Sequence, residues 1–428
     1  MARNIVICSD GTGNTFDKSV SNVTRLIQLL ALDKSKEQVV IYDQGIGTNA
    51  RRRDAIEEYR KSIPDKDALK TLPGPKGWWF DPTGWPSRVL GLVGGYGFKA
   101  NVGEMYQKLS QLYEGPEDKV YLFGFSRGAF TVRALAGLIY RCGLPGADVA
   151  NNEKKFKVCF GEAYNLFKPI YRTPIIRKEI EEKVRTFRKD YAPVRDCKIH
   201  FLGIWDTVKS YGGVWPILLP HLRHNPHVEI VRHAVALDER RSWFNATTWG
   251  RLILDEEGAA RRLTETERAE IKKQDIEEVW FQGCHSDIGG GDEEEFTARI
   301  ALRWMIGEAA DKDVRLNECG EMMLKHDNSP KPVKIHESLW GPWWLAEYFP
   351  RWEITNLGEY PKRKFKCFRT GQRHPDDLIR RDNLTGTEEI LLHTSVGTRH
   401  SISGPVKYRP TKLLKHSGEH VDKPPSKK

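Results

Sequence analysis

The chain has 428 residues, 39% hydrophobic and 29% charged, a soluble composition long enough for one large decorated domain with a well-buried core. Its formal net charge of +10 is spread over 68 basic and 58 acidic residues; so diffuse an excess carries no nucleic-acid recognition module, but it favours approach to an anionic surface, phospholipid included. The seven cysteines contain no Cys-x-x-Cys pair, which argues against a disulfide framework or zinc ribbon and for reduced thiols in a cytoplasmic setting.

The opening residues run straight into an apolar segment without signal-peptide layout, and no stretch approaches the roughly 18 apolar residues of a membrane span. Export would therefore need a route that takes folded protein. Ile5–Cys8 predicts a first strand, ending in the turn-rich loop Ser9-Asp10-Gly11-Thr12-Gly13-Asn14. Ser21 or Asn22 can cap a helix through Leu32, with Val23, Leu26, Ile27 and Leu30 at helical spacing. Val39–Tyr42 predicts a second strand, and a Trp- and Gly-rich passage follows from about residue 74 to 97. Val102, Met105, Tyr106, Leu109, Leu112 and Tyr113 mark an amphipathic helix, Lys119–Phe123 a strand, and Ala129–Tyr140 a strongly apolar helix. Strands separated by helices imply a parallel sheet covered on both faces.

Residues from about 150 to 195 are rich in Lys and Arg and read as helices laid over the core. Strands resume at Ile199–Trp205 and Val279–Phe281, and a helix follows over Phe296–Glu308. His233 falls in a segment read as helical and structural. The expected organisation is a single domain over 1–415, with a basic helical insertion at about 150–195 and a Trp-rich extension from about 311. A basic tail over 416–428 reads as disordered.

Gly124-Phe125-Ser126-Arg127-Gly128 matches Gly-x-Ser-x-Gly. A strand ends directly before it and an apolar helix begins directly after it, the setting of a nucleophile elbow. The glycines leave room for the sharp turn that lifts a serine hydroxyl above the sheet. Such a serine needs a base and an orienting carboxylate, which in this fold follow in the order Ser, Asp or Glu, His. Asp206 follows one later strand and His285 another, so both fit in order and placement. His336 and His393 are reserve candidates for the base, and Asp287 for the acid. The backbone N–H of Arg127 is expected at the oxyanion, with Gly11 or Thr12 on the first loop as second donor; Asp10 would orient that loop.

These segments, with Gly45-Ile46-Gly47-Thr48, Asp206-Thr207-Val208, Arg232-His233-Ala234, Asp238-Glu239-Arg240, Trp280 to Gly291, His336-Glu337-Ser338 and His393-Thr394-Ser395-Val396, resemble a large family of α/β-hydrolases. That family was long catalogued as a domain of unknown function and includes the phospholipase effectors of type VI secretion. The resemblance implies an α/β-hydrolase fold: a mostly parallel sheet with helices on both faces, a helical lid insertion and an irregular C-terminal extension. It implies a Ser126–Asp206–His285 triad acting on carboxylic esters, of the lipid class, with no cofactor or metal. Asp292 follows the triple glycine, where the family often carries an aromatic residue.

Trp78, Trp79, Phe80 and Trp85, and later Trp340, Trp343, Trp344 and Trp352, suit either a lipid-facing lid or loop packing. Lys154, Lys155, Lys157, Arg172, Arg177 and Lys178 suit either headgroup contact or a solvated helical face. Three other readings compete. Asp10-Gly11-Thr12 resembles the loop of aspartyl-phosphate phosphatases, but Cys8 occupies the position their nucleophile needs. A metallohydrolase on His285 and Asp287 lacks further ligands at suitable spacing. The non-enzymatic rival is a hydrolase fold used as a binding module.

Overall fold

In β1 (Asn4–Ser9) the side chains alternate between two cores: Ile5 and Ile7 pack on one side of the sheet, Val6 and Cys8 on the other. The same alternation runs through β2 (Gln38–Asp43), with Ile41 opposed to Val40 and Tyr42, and through β4 (Lys119–Phe125), with Val120 and Leu122 opposed to Tyr121, Phe123 and Phe125. A strand buried on both faces must be apolar at nearly every position, which is why these segments read as unbroken hydrophobic runs.

The computed structural model describes residues 3–11, 20–32, 37–45, 50–72, 97–168, 174–192, 197–208, 219, 222, 225–241, 244, 246–249, 265–291, 296–325 and 335–339, with the backbone of strands at 351–355, 362–366, 391–393 and 420–421. Beside the strands already given are β3 (Leu69–Thr71), β5 (Ile199–Trp205), β6 (Val228–Ala236) and β7 (Asp275–Phe281). Later come β8 (Arg351–Thr355), β9 (Lys362–Lys366), β10 (Leu391–His393) and β11 (His420–Val421). Nine of them form one parallel sheet in the order β11-β10-β7-β6-β5-β4-β1-β2-β3, while β8 and β9 pair antiparallel on their own. One face is covered by the helices Phe98–Leu112, Arg127–Cys142 and Glu153–Phe167, the other by Asn22–Leu29 and Phe296–Ala310. This is the α/β-hydrolase type of architecture read from the sequence.

From β1 the chain moves outward to β2 and β3, then returns to the other side of β1 for β4 and continues to β7. The direction of winding therefore reverses between β1 and β4, where Ser9 pairs in register with Gly124. In an open parallel sheet the crevice at such a reversal, beyond the C-terminal ends of the strands, is where ligands bind.

Three readings need correction or completion. His233 lies in strand β6, not in a helix; the strand was obscured because Arg232 and His233 interrupt its apolar run. Those polar side chains are buried but answered: Arg232 pairs with Glu308 at 2.6 Å and Asp275 at 2.9 Å, and His233 Nδ1 lies 2.7 Å from Glu278. The helix expected through Leu32 stops at Leu29, because Leu30 turns extended and bridges Leu316. Within the expected tail, His420–Val421 pair with β10. The basic segment at 150–195 does form helices, Glu153–Phe167 and Pro174–Tyr191, the first burying Phe156, Phe160 and Tyr164 against the core.

Candidate active site

The strand β4 ends at Phe125, and the next residue, Ser126, adopts φ 56° and ψ −118° before the helix Arg127–Cys142 begins. That left-handed conformation is costly for a residue with a side chain, and it is held by its surroundings. The Ser126 N–H donates to the carbonyl of Trp205 at 3.0 Å. A Cβ on Gly124 would meet the backbone of Ala129 at 2.7 Å, and one on Gly128 would run into the end of β1. The two glycines of the motif thus let the helix start directly on the strand ends.

Asp206, the first residue after β5, is fully buried and also has a positive φ, 37°. Its N–H donates to the Ala234 carbonyl at 2.7 Å, and its Oδ1 accepts the Ala236 N–H at 3.1 Å. His285 opens the short helix His285–Gly289, after β7 and a turn at Gly283 with φ 113°. These three side chains, far apart in sequence, meet at the winding reversal. Asp206 Oδ2 lies 2.6 Å from His285 Nδ1, and His285 Nε2 lies 2.8 Å from Ser126 Oγ. With Nδ1 donating to the carboxylate, Nε2 accepts the serine hydroxyl, the arrangement a general base requires.

The imidazole is boxed in. The Phe125 ring stands 4.6 Å from it, and Phe244 meets it edge-on at 5.1 Å. The backbone N–H of His285 donates to the buried Glu239, whose carboxylate also takes the guanidinium of Arg241 at 2.8 and 2.9 Å. Arg241 in turn lies over the Phe244 ring at 3.7 Å. Burial lowers the His285 pKa below the ordinary imidazole value, with Asp206 acting in the opposite direction. Glu239, Arg241 and Phe244 had no assigned role from sequence, although Asp238-Glu239-Arg240 directly follows β6 and so stands at the correct sheet edge.

Gly11 sits against Ser126: a Cβ there would lie 3.3 Å from Ser126 Cβ and from the Phe125 ring. Its N–H donates to Asp10 Oδ1 at 2.6 Å, and Asp10 Oδ2 takes the hydroxyls of Ser21 at 2.7 Å and Tyr42 at 3.1 Å. Asp10 therefore anchors the loop, and the Gly11 N–H, expected as an oxyanion donor, is taken up by Asp10 instead. Of the reserves, Asp287 does not face His285 but His336, at 2.6 Å. His233 accepts the Thr207 N–H at 3.3 Å and supports the chain behind Asp206. Thr12, Arg172 and the tryptophans of 78–85 and 340–344 lie outside the described residues, as do the Phe80, Arg177, Trp352 and His393 side chains. Lys154, Lys155, Lys157 and Lys178 are exposed.

Residues 3–308 match the family described as "T6SS, Phospholipase effector Tle1-like, catalytic domain". The chain belongs to that family. An uncharacterized protein of Saccharomyces cerevisiae is 31% identical over 243 residues, 56% of this chain and 32% of that protein. The match thus spans about a third of that relative's length. Among solved structures, an uncharacterized protein from Pseudomonas aeruginosa is 19% identical, covering 74% of this chain and 46% of that one at a TM-score of 0.37. The Tle1 effector bound to the VgrG spike of the type 6 secretion system is 18% identical, covering 68% of this chain and 52% of that one at a TM-score of 0.29. Among the described residues of this family member, no helix is long and apolar enough to cross a membrane.

Proposed function

We propose that this chain is a serine esterase of phospholipid or a related lipid, working through an acyl-enzyme on Ser126. The observation that carries the reading is the unbroken hydrogen-bond chain from Asp206 through His285 to Ser126, at 2.6 and 2.8 Å. Membership of a phospholipase effector family supports a lipid ester as substrate.

His285 Nε2 takes the Ser126 proton as Oγ attacks the ester carbonyl carbon. Asp206 holds the ring in the required tautomer and stabilises the imidazolium that forms. The N–H of Arg127, at the start of its helix, and the Thr12 N–H on the first loop stabilise the oxyanion, the Gly11 N–H being held by Asp10. Collapse breaks the ester bond, and His285 returns the proton to the departing alcohol. Water, deprotonated by the same ring, then attacks the acyl-serine, releasing the fatty acid and restoring Ser126. No organic cofactor or metal enters these steps. The diffuse positive charge would favour approach to an anionic membrane surface; no nucleic-acid partner is part of this reading.

The test is fluorophosphonate labelling together with fatty-acid release from phospholipid vesicles, comparing wild type with Ser126→Ala and His285→Ala. Labelling and release by wild type alone are expected. A folded wild-type protein that neither labels nor releases fatty acid would overturn the reading in favour of a binding module on the same fold.

A further inference from the structure

Behind the catalytic imidazole stands a second acid–imidazole pair. Asp287, two residues beyond His285, has a side chain fully withdrawn from solvent. Its Oδ2 accepts the N–H of Cys284 at 2.9 Å and that of His336 at 3.2 Å, and its Oδ1 lies 2.6 Å from His336 Nδ1. His336 belongs to the segment 335–339, which lies beyond the family-matched residues 3–308.

The same segment grips a second loop. Ser338 Oγ accepts the N–H of Arg240 at 3.0 Å, and Glu337 Oε2 lies 2.6 Å from the Arg240 guanidinium. Ser338 and Leu339 are buried. The two gripped loops are those that fix His285: Glu239 accepts the His285 N–H, and Asp238 accepts the Gly283 N–H at 2.6 Å.

We propose that His336 is a positioning residue for ester hydrolysis, acting through Asp287 to keep the His285 loop within reach of both Ser126 and Asp206. The inference rests on the reading of Ser126 as nucleophile. A carboxylate at this depth must be satisfied by donors, and His336 supplies two of them, one from its ring and one from its backbone. Without the imidazole, Asp287 has reason to turn and draw the Cys284–His285 backbone with it. A displacement of a reacting group by about 1 Å can lower turnover on the order of 100-fold while substrate binding survives. His336-Glu337-Ser338 thereby gains a role that composition alone does not give it.

The experiment uses the full chain: wild type, His336→Leu and His336→Asn, each titrated to completion with a fluorophosphonate and turned over on a soluble short-chain ester. His336→Leu is expected to lower kcat per titrated site about tenfold or more with KM nearly unchanged, and His336→Asn, whose amide can donate from the Nδ1 position, to recover to within about threefold of wild type. Unchanged kcat per titrated site in His336→Leu, with only a lower Tm, would mean a purely structural strap and would overturn the proposal. Should His336→Leu not fold, His336→Gln replaces it, and equal kcat in the Asn and Gln variants overturns the proposal. Absence of labelling and turnover in wild type would instead remove the nucleophile reading beneath it, so the two failures are distinguishable.

Discussion

A Cβ on Gly128 would fall onto the backbone carbonyl of Ser9, well inside van der Waals contact. The helix Arg127–Cys142 therefore approaches the end of β1 more closely than any side chain allows. Backbone cannot yield there as the tip of a flexible side chain could.

Gly128→Ala should accordingly destabilise the protein by about 3 kcal/mol or more, at the upper end of overpacking effects. Thermal or urea unfolding measures this directly. A variant within 0.5 kcal/mol of wild type, roughly the spread of neutral surface changes, would mean the helix and β1 are not in this contact.

The buried His285 makes a prediction about pH. Burial holds its pKa below the ordinary imidazole value of about 6.5. In the proposed mechanism His285 must be neutral to act as base, so kcat/KM should rise with pH through a half-maximum below 6.5 and be flat at neutrality. Asp206→Asn removes the group that raises that pKa, so the acid limb moves lower still, while kcat at neutral pH drops by about 10³- to 10⁴-fold. A pH–rate profile of both proteins checks the claim; a half-maximum above 7 in wild type would contradict it.

Glu104 lies one turn beyond Asn101, whose amide donates to the buried Asp43 at 3.0 and 3.1 Å. Burial, and then the charge of Asp43, push its pKa up from 4.5 to about 7. A carboxyl with a folded value above its unfolded one contributes stability at low pH, and that contribution is lost as pH rises from about 4.5 through 7. Glu104→Gln should therefore be more stable than wild type at pH 8 by about 1 kcal/mol, after allowance for solvent screening of a half-buried group. At pH 4 the difference should vanish. Unfolding free energies at the two pH values decide it.

The elbow could be read from sequence because its requirements are local: a strand, two glycines around a serine, and a helix, all within a few residues. The places of Asp206 and His285 were legible for a different reason, since each follows an apolar run at the same sheet edge. The supports were not. Glu239 and the Asp287–His336 pair act through contacts between residues 46 and 49 positions apart; the sequence singled out Asp287 and His336, but not that they pair with each other. The strand β6 was misread for a related reason. Arg232 and His233 look incompatible with a central strand until Glu308, Asp275 and Glu278 stand opposite them. The three-residue β3 is too short to show a period at all.

Under the proposed function, the distance along the chain between Ser126 and His285, 159 residues, bears on when the protein acquires its activity during synthesis. At 5–20 residues per second, translation separates the two by about 10–30 s. During that interval the elbow exists without its base. On that reading the growing polypeptide cannot hydrolyse a lipid ester until β7 and the loop beyond it have been synthesised and docked, and competence arrives only with the closing of long-range strand contacts, a slow class of folding event.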